Sequence, residues 1–181
     1  MDFITNLDGN ILLWIQEYLR EDFLNPLIIF ITNLGNAGMI WIAGAVVLLC
    51  IPKTRKAGAL VILSLVISYI INNLILKSAV ARPRPWVDVE GLSNLIGKPH
   101  DLSFPSGHAS SSFAAAVVMY RMLPARCGVP AVILAAAIAL SRLYVGVHYP
   151  TDVLFGTISG IAIALAVCRV SQKRKTHERK N

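Results

Sequence analysis

Ten side chains of the 181-residue sequence have the types and spacing for chemistry: Lys77, Arg82, Arg84, His100, Asp101, Ser106, His108, Arg142, His148 and Asp152. All fall at the ends of long apolar stretches or in the connections between them. Ionisable groups are costly there, so a cluster of them marks a functional site. Three local patterns sharpen this. In Lys77-(six residues)-Arg84-Pro85, Pro83 and Pro85 bias the chain away from helix and give Arg84 a stiff mount. In Phe104-Pro105-Ser106-Gly107-His108, glycine permits close backbone approach where an apolar helix begins, and the free amides at that end favour an anion. In Ser141-Arg142-(five residues)-His148-(three residues)-Asp152, the histidine and aspartate share a face if that turn is helical. Asp152 would then accept from one ring nitrogen and leave the other free to attack. Forked and point-like cations converging with two histidines fit a tetrahedral phosphoryl group.

The elements that must position these residues are membrane helices. The chain is 55% hydrophobic and 15% charged, with a mean hydropathy of +0.62. Soluble domains run at about 45–50% apolar and about 25% charged, so a disordered chain, a coiled coil and an ordinary cytosolic enzyme are excluded. A helix needs about 20 apolar residues to cross the hydrocarbon core. Ala57 to Leu76 is a 20-residue stretch without a charge, and Leu102–Tyr120, Cys127–Ser141 and Val153–Cys168 are further apolar stretches. Asn25-Pro26 and Asn33-Leu34-Gly35-Asn36 break the uncharged run from Phe23 to Pro52 into a short helix at about 24–34 and a span after it. The expected fold is all-α, a polytopic membrane bundle with about five spans, at 37–52, 57–77, 106–123, 128–145 and 152–169. Residues 1–36 form amino-terminal amphipathic or half-inserted helices, 37–169 the transmembrane bundle, and 170–181 a basic tail.

Charge gives the sidedness. Lys53, Arg55 and Lys56 follow the first span, Arg121 and Arg126 separate the third from the fourth, and six cations against one carboxylate lie within 169–181. The positive-inside rule makes these three sites cytoplasmic and leaves the chemical cluster on the outer side. A basic end beside an apolar run is what membrane topology produces, so nucleic acid is not the expected partner. Ile4, Leu7, Ile11, Leu12, Ile15, Tyr18 and Leu19 recur at helical spacing, which predicts a helix lying in the outer interface or facing the bundle core. No basic segment precedes an apolar one there, so no signal peptide is expected. Cys50, Cys127 and Cys168 show neither disulfide nor metal spacing and are expected to be buried, inert thiols.

The three motifs, in this order and at outer span ends, resemble the signature of the type 2 phosphatidic acid phosphatase superfamily. The likeness covers Lys77 to Asp152 in motifs and about 23–169 in span arrangement. It implies that His148 is the nucleophile taking the phosphoryl group, that Asp152 orients it, and that His108 is the general acid. It implies that Lys77, Arg84, Ser106, Gly107 and Arg142 bind the phosphate, without a metal or other cofactor. The implied activity is hydrolysis of a lipid phosphate in the bilayer through a phosphohistidine. Undecaprenyl diphosphate is the first choice, because small, short-loop members resemble the bacterial enzymes that recycle that carrier. Phosphatidylglycerol phosphate or phosphatidate is the second. Transfer of the phosphoryl group to an acceptor other than water is the alternative of a different class, and oligomeric state stays open.

Other residues take blander readings. Arg82 is read as an interfacial or secondary phosphate contact, His100 and Asp101 as loop residues without a role ahead of metal ligands or shapers of the substrate entrance, and Trp14, Trp41 and Trp86 as interfacial anchors, with a headgroup contact the lesser reading for Trp86. Ser110, Ser111 and Ser112 are read as easing helix packing, with one of them able to reach the site as the lesser reading. The connection from Trp86 to Phe104 is 19 residues long, too short for a capping domain.

Overall fold

A computed structural model describes residues 3–97, 99 and 101–178, with side chains as far as Lys173. His100 and most of the basic tail's side chains lie outside the described residues. Along the chain come α1 (Phe3–Tyr18), α2 (Asn25–Leu34), a 3-10 turn (Asn36–Gly38) and α3 (Met39–Cys50). Next, α4 (Arg55–Ser68) runs through a π-helical stretch (Tyr69–Leu76) into α5 (Lys77–Val80). Then come α6 (Pro85–Asp88), α7 (Gly107–Met122), α8 (Ala125–Tyr144) and α9 (Pro150–Glu178). The described regular structure is entirely helical.

Arg55–Asp88, Ala125–Tyr144 and Pro150–Lys173 are each long and apolar enough to cross a bilayer. Segments Asn25–Leu34 and Asn36–Cys50 qualify together as a pair bent by 48°. The break falls at the predicted Asn-Leu-Gly-Asn interruption, where Ala37 and Gly38 take positive φ values of 49° and 68°. Helix α7 has 16 residues, about 24 Å at 1.5 Å per residue, and so falls short of the hydrocarbon thickness. It is sheathed instead by α4, α8 and α9. The five expected spans thus resolve into three full-length helices, one broken pair and one short central helix. This is a multi-pass membrane protein.

The distribution of polarity fits lipid as the solvent. Leu63, Val66, Leu74, Ile133, Leu140, Leu154 and Ile158 face outward, while Ser64, Ser68, Asn72, Ser110, Ser112 and Ser141 are buried. Without a hydrophobic drive between helices in lipid, small residues and buried hydroxyls hold the bundle. A Cβ at Gly156 or Gly160 of α9 would come within 2.6 Å of the Ser106 carbonyl or 2.4 Å of the Ser110 carbonyl of α7, so only glycine allows that crossing. The Ser64 hydroxyl donates to the Ala114 carbonyl at 3.0 Å, joining α4 to α7.

Two expectations fail here. Trp41 is a core residue, 3% exposed, not an interfacial anchor, because its Nε1 donates to Ser112 Oγ at 2.9 Å inside the bundle. Cys50 and Cys127 are exposed at helix ends, and only Cys168 is buried.

Helix α1 packs on α8 and α9 with Asp8, Leu12 and Ile15 buried and Gly9 set against Val89, leaving Phe3, Leu7 and Trp14 outward. One face therefore belongs to the bundle. After it, Arg20 donates from Nε to the Tyr144 carbonyl at 2.7 Å and from Nη1 to the Ser93 carbonyl at 2.8 Å, which ties together the connections at this end of the bundle. At the opposite end, Lys56 Nζ donates to the Ser171 carbonyl at 3.4 Å, so the basic start of α4 meets the last third of α9.

Candidate active site

The three motifs converge at the end of the bundle away from the Lys56–Ser171 contact. Ser106 caps α7: its backbone is extended, its Oγ accepts from the Ala109 amide at 3.4 Å, and its own amide donates to the Asp152 carbonyl at 3.1 Å. That last bond fixes the start of α7 against the start of α9. A Cβ at Gly107 would lie 2.8 Å from Asn73 Oδ1, so the bare backbone here lets the Asn73 amide pack close to the start of α7. Arg84 follows an extended segment and leads into α6, the rigid mount that flanking prolines produce.

A cavity of about 810 Å³ opens among these elements. At one end its wall is polar, formed by Lys77, Arg84, Gly107, His108, Arg142 and His148, six of the eight predicted site residues, and by Asp101. Towards α3 and α4 the wall is apolar, with Ile42, Ile62, Leu65 and Val66. Ile42 and Val66 are themselves exposed, so this wall continues onto the bundle's outer surface. A charged pocket joined to an apolar groove suits a ligand with an anionic head and a hydrocarbon tail.

The other two predicted residues stand behind the wall, both fully buried. Ser106 Oγ is turned to its helix cap. Asp152 lies beneath His148, with Oδ2 3.6 Å from Nδ1, beyond hydrogen-bond range, and Nδ1 has no partner. The carboxylate instead accepts from Arg82 Nη1 at 2.8 Å, from the Tyr149 amide at 3.0 Å and from the Ser103 hydroxyl. On the cavity side, His148 Nε2 accepts from Arg84 Nη1 at 2.9 Å. An arginine only donates, so Nε2 carries a lone pair and the ring proton sits on Nδ1, towards Asp152. Burial disfavours the imidazolium, and the nearby cations Arg84, Arg142 and Lys77 push the same way, so His148 titrates well below the usual histidine range. It is neutral at pH 7, the state a nucleophile requires.

The opposite wall holds His108, whose Nε2 donates to Asn36 Oδ1 at 3.0 Å, while Asn36 Nδ2 donates to Asn33 Oδ1 at 3.2 Å. The α2–α3 break therefore touches the candidate acid. Arg142 is held by Thr32 of α2, its Nη1 donating to Oγ1 at 2.8 Å. Among the described residues, no three His, Cys, Asp or Glu side chains gather as a metal-ligand set.

Two readings from sequence need correction. Arg82 does not line the cavity. Its guanidinium bonds Asp152, Thr151 Oγ1 at 2.7 Å and Asp8 Oδ2 at 2.8 Å, and lies 3.7 Å from the Tyr149 ring centroid. Asp101 is not an idle loop residue, since it pairs with both Lys77 and Arg84. Sequence reasoning also missed Asp8, which is 2% exposed. Its signal was available: a carboxylate four residues from both Ile4 and Leu12, on the apolar side of α1. Asn33 and Asn36 gave no signal beyond turn propensity.

Comparison with known proteins follows the same lines. The sequence model of the PAP2 superfamily matches residues 57–176. A Sulfolobus acidocaldarius protein named undecaprenyl-diphosphatase is 35% identical over 144 residues, 80% of this chain and 69% of that one. A decaprenylphosphoryl-5-phosphoribose phosphatase of Mycobacterium tuberculosis is 35% identical over 128 residues, 70% of this chain and 68% of that one. Among solved structures, a transmembrane PAP2 type phosphatidylglycerolphosphate phosphatase from Bacillus subtilis aligns with a TM-score of 0.80 at 26% identity. That alignment covers 96% of this chain and 88% of the other.

Proposed function

The chain belongs to the PAP2 superfamily and is an integral membrane lipid phosphatase; from that premise we propose that it hydrolyses undecaprenyl diphosphate to undecaprenyl phosphate and phosphate. The observation that carries the reading is the continuity of the cation-lined polar pocket with an apolar wall reaching the bundle's outer surface. The similar Sulfolobus protein named for this activity supports the choice of lipid.

In the proposed mechanism, Lys77, Arg84 and Arg142 hold the terminal phosphoryl oxygens, and Gly107 lets the α7 amides approach them. Charge on the equatorial oxygens is stabilised there as the bond to the bridging oxygen lengthens. The Nε2 lone pair of His148 attacks phosphorus, and the Nδ1 proton faces Asp152, which stabilises the charge the ring acquires. The bridging bond breaks with its electron pair on the oxygen, and His108 supplies the proton to that leaving group. His108, now neutral, takes a proton from water, whose oxygen attacks the phosphohistidine. Phosphate leaves, and both rings return to their starting states.

We place the site on the outer face of the cell membrane and the carboxyl terminus in the cytoplasm. The support is the gathering of basic residues at the opposite end of the bundle, where Lys56 meets the last third of α9. A second reading, phosphatidylglycerol phosphate as substrate, is favoured by the likeness to the Bacillus subtilis enzyme.

The test is phosphate release by the detergent-purified protein from undecaprenyl diphosphate, undecaprenyl phosphate, phosphatidylglycerol phosphate and phosphatidate, with EDTA present and His148→Ala as control. Preference for the prenyl diphosphate supports the first reading, and preference for phosphatidylglycerol phosphate replaces it with the second. Consumption of substrate without free phosphate would identify a transferase.

A further inference from the structure

One face of the helix leading to Lys77 runs along the cavity. Ile62, Val66, Tyr69, Asn73 and Lys77 follow one another on it at intervals of three or four residues, the spacing that keeps side chains together on a helix. Read in that order, the wall passes from apolar to aromatic to amide to cation, and Asn73 stands at the changeover. The stretch Tyr69–Leu76 is π-helical, a widening of the turn found often at functional sites. Its two asparagines face different ways. Asn72 is fully buried, and its Nδ2 donates to the Ser68 carbonyl at 3.1 Å. Asn73 lines the cavity, its Oδ1 is buried without a partner, and its Nδ2 donates to no group among the described residues. A Cβ on Gly107 would lie 2.8 Å from that Oδ1 and 3.4 Å from Nδ2. The amide therefore sits at the start of α7, beside the candidate acid His108, with its donors unspent. A primary amide has two N–H donors, and an anionic oxygen is the acceptor that binds them most strongly.

On the reading of this pocket as a lipid phosphatase site, we propose that Asn73 is a specificity-determining residue that binds the inner, lipid-proximal phosphoryl group of a prenyl diphosphate. The terminal phosphoryl group lies on Lys77, Arg84 and Arg142, and the tail lies along Ile62 and Val66. What joins the two passes Asn73, one turn before Lys77. In a diphosphate that joining piece is an anionic phosphoryl group, and its oxygens accept from Asn73 Nδ2. In a prenyl monophosphate the same place holds the first carbons of the alcohol, which accept nothing. The contact is therefore made by the diphosphate alone, and removing it costs the diphosphate alone. The inner phosphoryl group is also the leaving group, so the same donor faces charge that grows as the bridging bond breaks.

The experiment is calorimetric titration of the detergent-purified full-length protein with two compounds that share a tail and resist hydrolysis. One is farnesyl phosphonate, and the other is the farnesyl ester of methylenebisphosphonate, which adds the inner phosphoryl group. Wild-type protein should bind the bisphosphonate more tightly. Asn73→Ala, and Asn73→Leu of nearly native size, should each weaken the bisphosphonate about tenfold and leave the phosphonate unchanged. Unchanged bisphosphonate affinity in the variants would overturn the proposal. Equal weakening of both compounds would overturn it too, because Asn73 would then serve the terminal phosphoryl group or the shape of the pocket. Failure of both variants to fold would do the same, by making Asn73 a packing residue for α7. Wild-type protein that binds neither compound would instead remove the phosphatase reading, and the proposal with it. Binding of both by wild type, with no change of ratio in the variants, would sink the proposal and leave that reading in place.

Discussion

Asp152 Oδ2 lies 3.6 Å from His148 Nδ1 across the α8–α9 turn, while Arg82, Ser103 and the Tyr149 amide hold the carboxylate. The aspartate is fully buried and fixed before the histidine acquires charge. Its negative field is therefore preorganised beside the ring proton, the arrangement that stabilises an imidazolium or a phosphohistidine as it forms. Asp152→Asn should lower kcat about 10²–10⁴-fold, read as phosphate release by the folded, purified variant, and should also lower the melting temperature because Arg82 loses a buried charged partner. Retention of full turnover would remove Asp152 from the mechanism.

Arg82 is a strut between two buried carboxylates, Asp8 of α1 and Asp152 of α9. One planar fork serves both, with Thr151 as a third partner, and a lysine's point charge does not reproduce that. Arg82→Lys and Asp8→Asn should lower kcat about 10- to 100-fold by misplacing Asp152, with little change in KM because neither residue lines the cavity. Steady-state kinetics on one lipid phosphate separates the two parameters. A change confined to KM would place Arg82 on the substrate after all.

Acid dependence follows from His148. Unfolded histidine titrates near 6.5, whereas the native ring does so well below that value. Between the two, the unfolded chain binds a proton that the native protein excludes, so stability falls as pH drops through 6.5. Asp101, where burial is outweighed by Lys77 and Arg84, adds a second loss lower down, between its ordinary 3.8 and about 2. Melting temperature should decline below pH 6.5, and less steeply in His148→Gln. In kcat/KM, which reports the free enzyme, the acid limb should lie below the ordinary imidazole value.

Gly35 ends α2 directly under the candidate acid. A Cβ there would come within 2.7 Å of both His108 Cδ2 and Ile138 Cγ2. Its φ of −81° is ordinary, so the effect of Gly35→Ala is a clash with the ring and the α8 core rather than backbone strain. We expect a loss of about 1–3 kcal/mol in stability and a fall in turnover from the displaced imidazole. Thermal unfolding and phosphate release measured on one preparation check both.

By itself, the sequence determined the helices and the patterns within them. Apolar run length, the Asn-Leu-Gly-Asn interruption at 33–36, the proline pair around Arg84 and the four-residue spacing of His148 and Asp152 are local properties, set by backbone sterics and by the cost of charge in lipid. Composition announced the membrane, and the three motifs announced phosphate. Tertiary structure alone decided which cation meets which carboxylate. Arg82 and Arg84 are two residues apart and both precede proline, yet one turns inward to Asp152 and Asp8 while the other faces the cavity with Asp101. Trp41 likewise reads as an anchor until α7 brings Ser112 to its indole nitrogen. The reason is that side-chain partners across helices depend on the rotation and crossing of elements far apart in the chain. Those are fixed by close packing such as Gly156 and Gly160 against α7, and no spacing along a single segment encodes them.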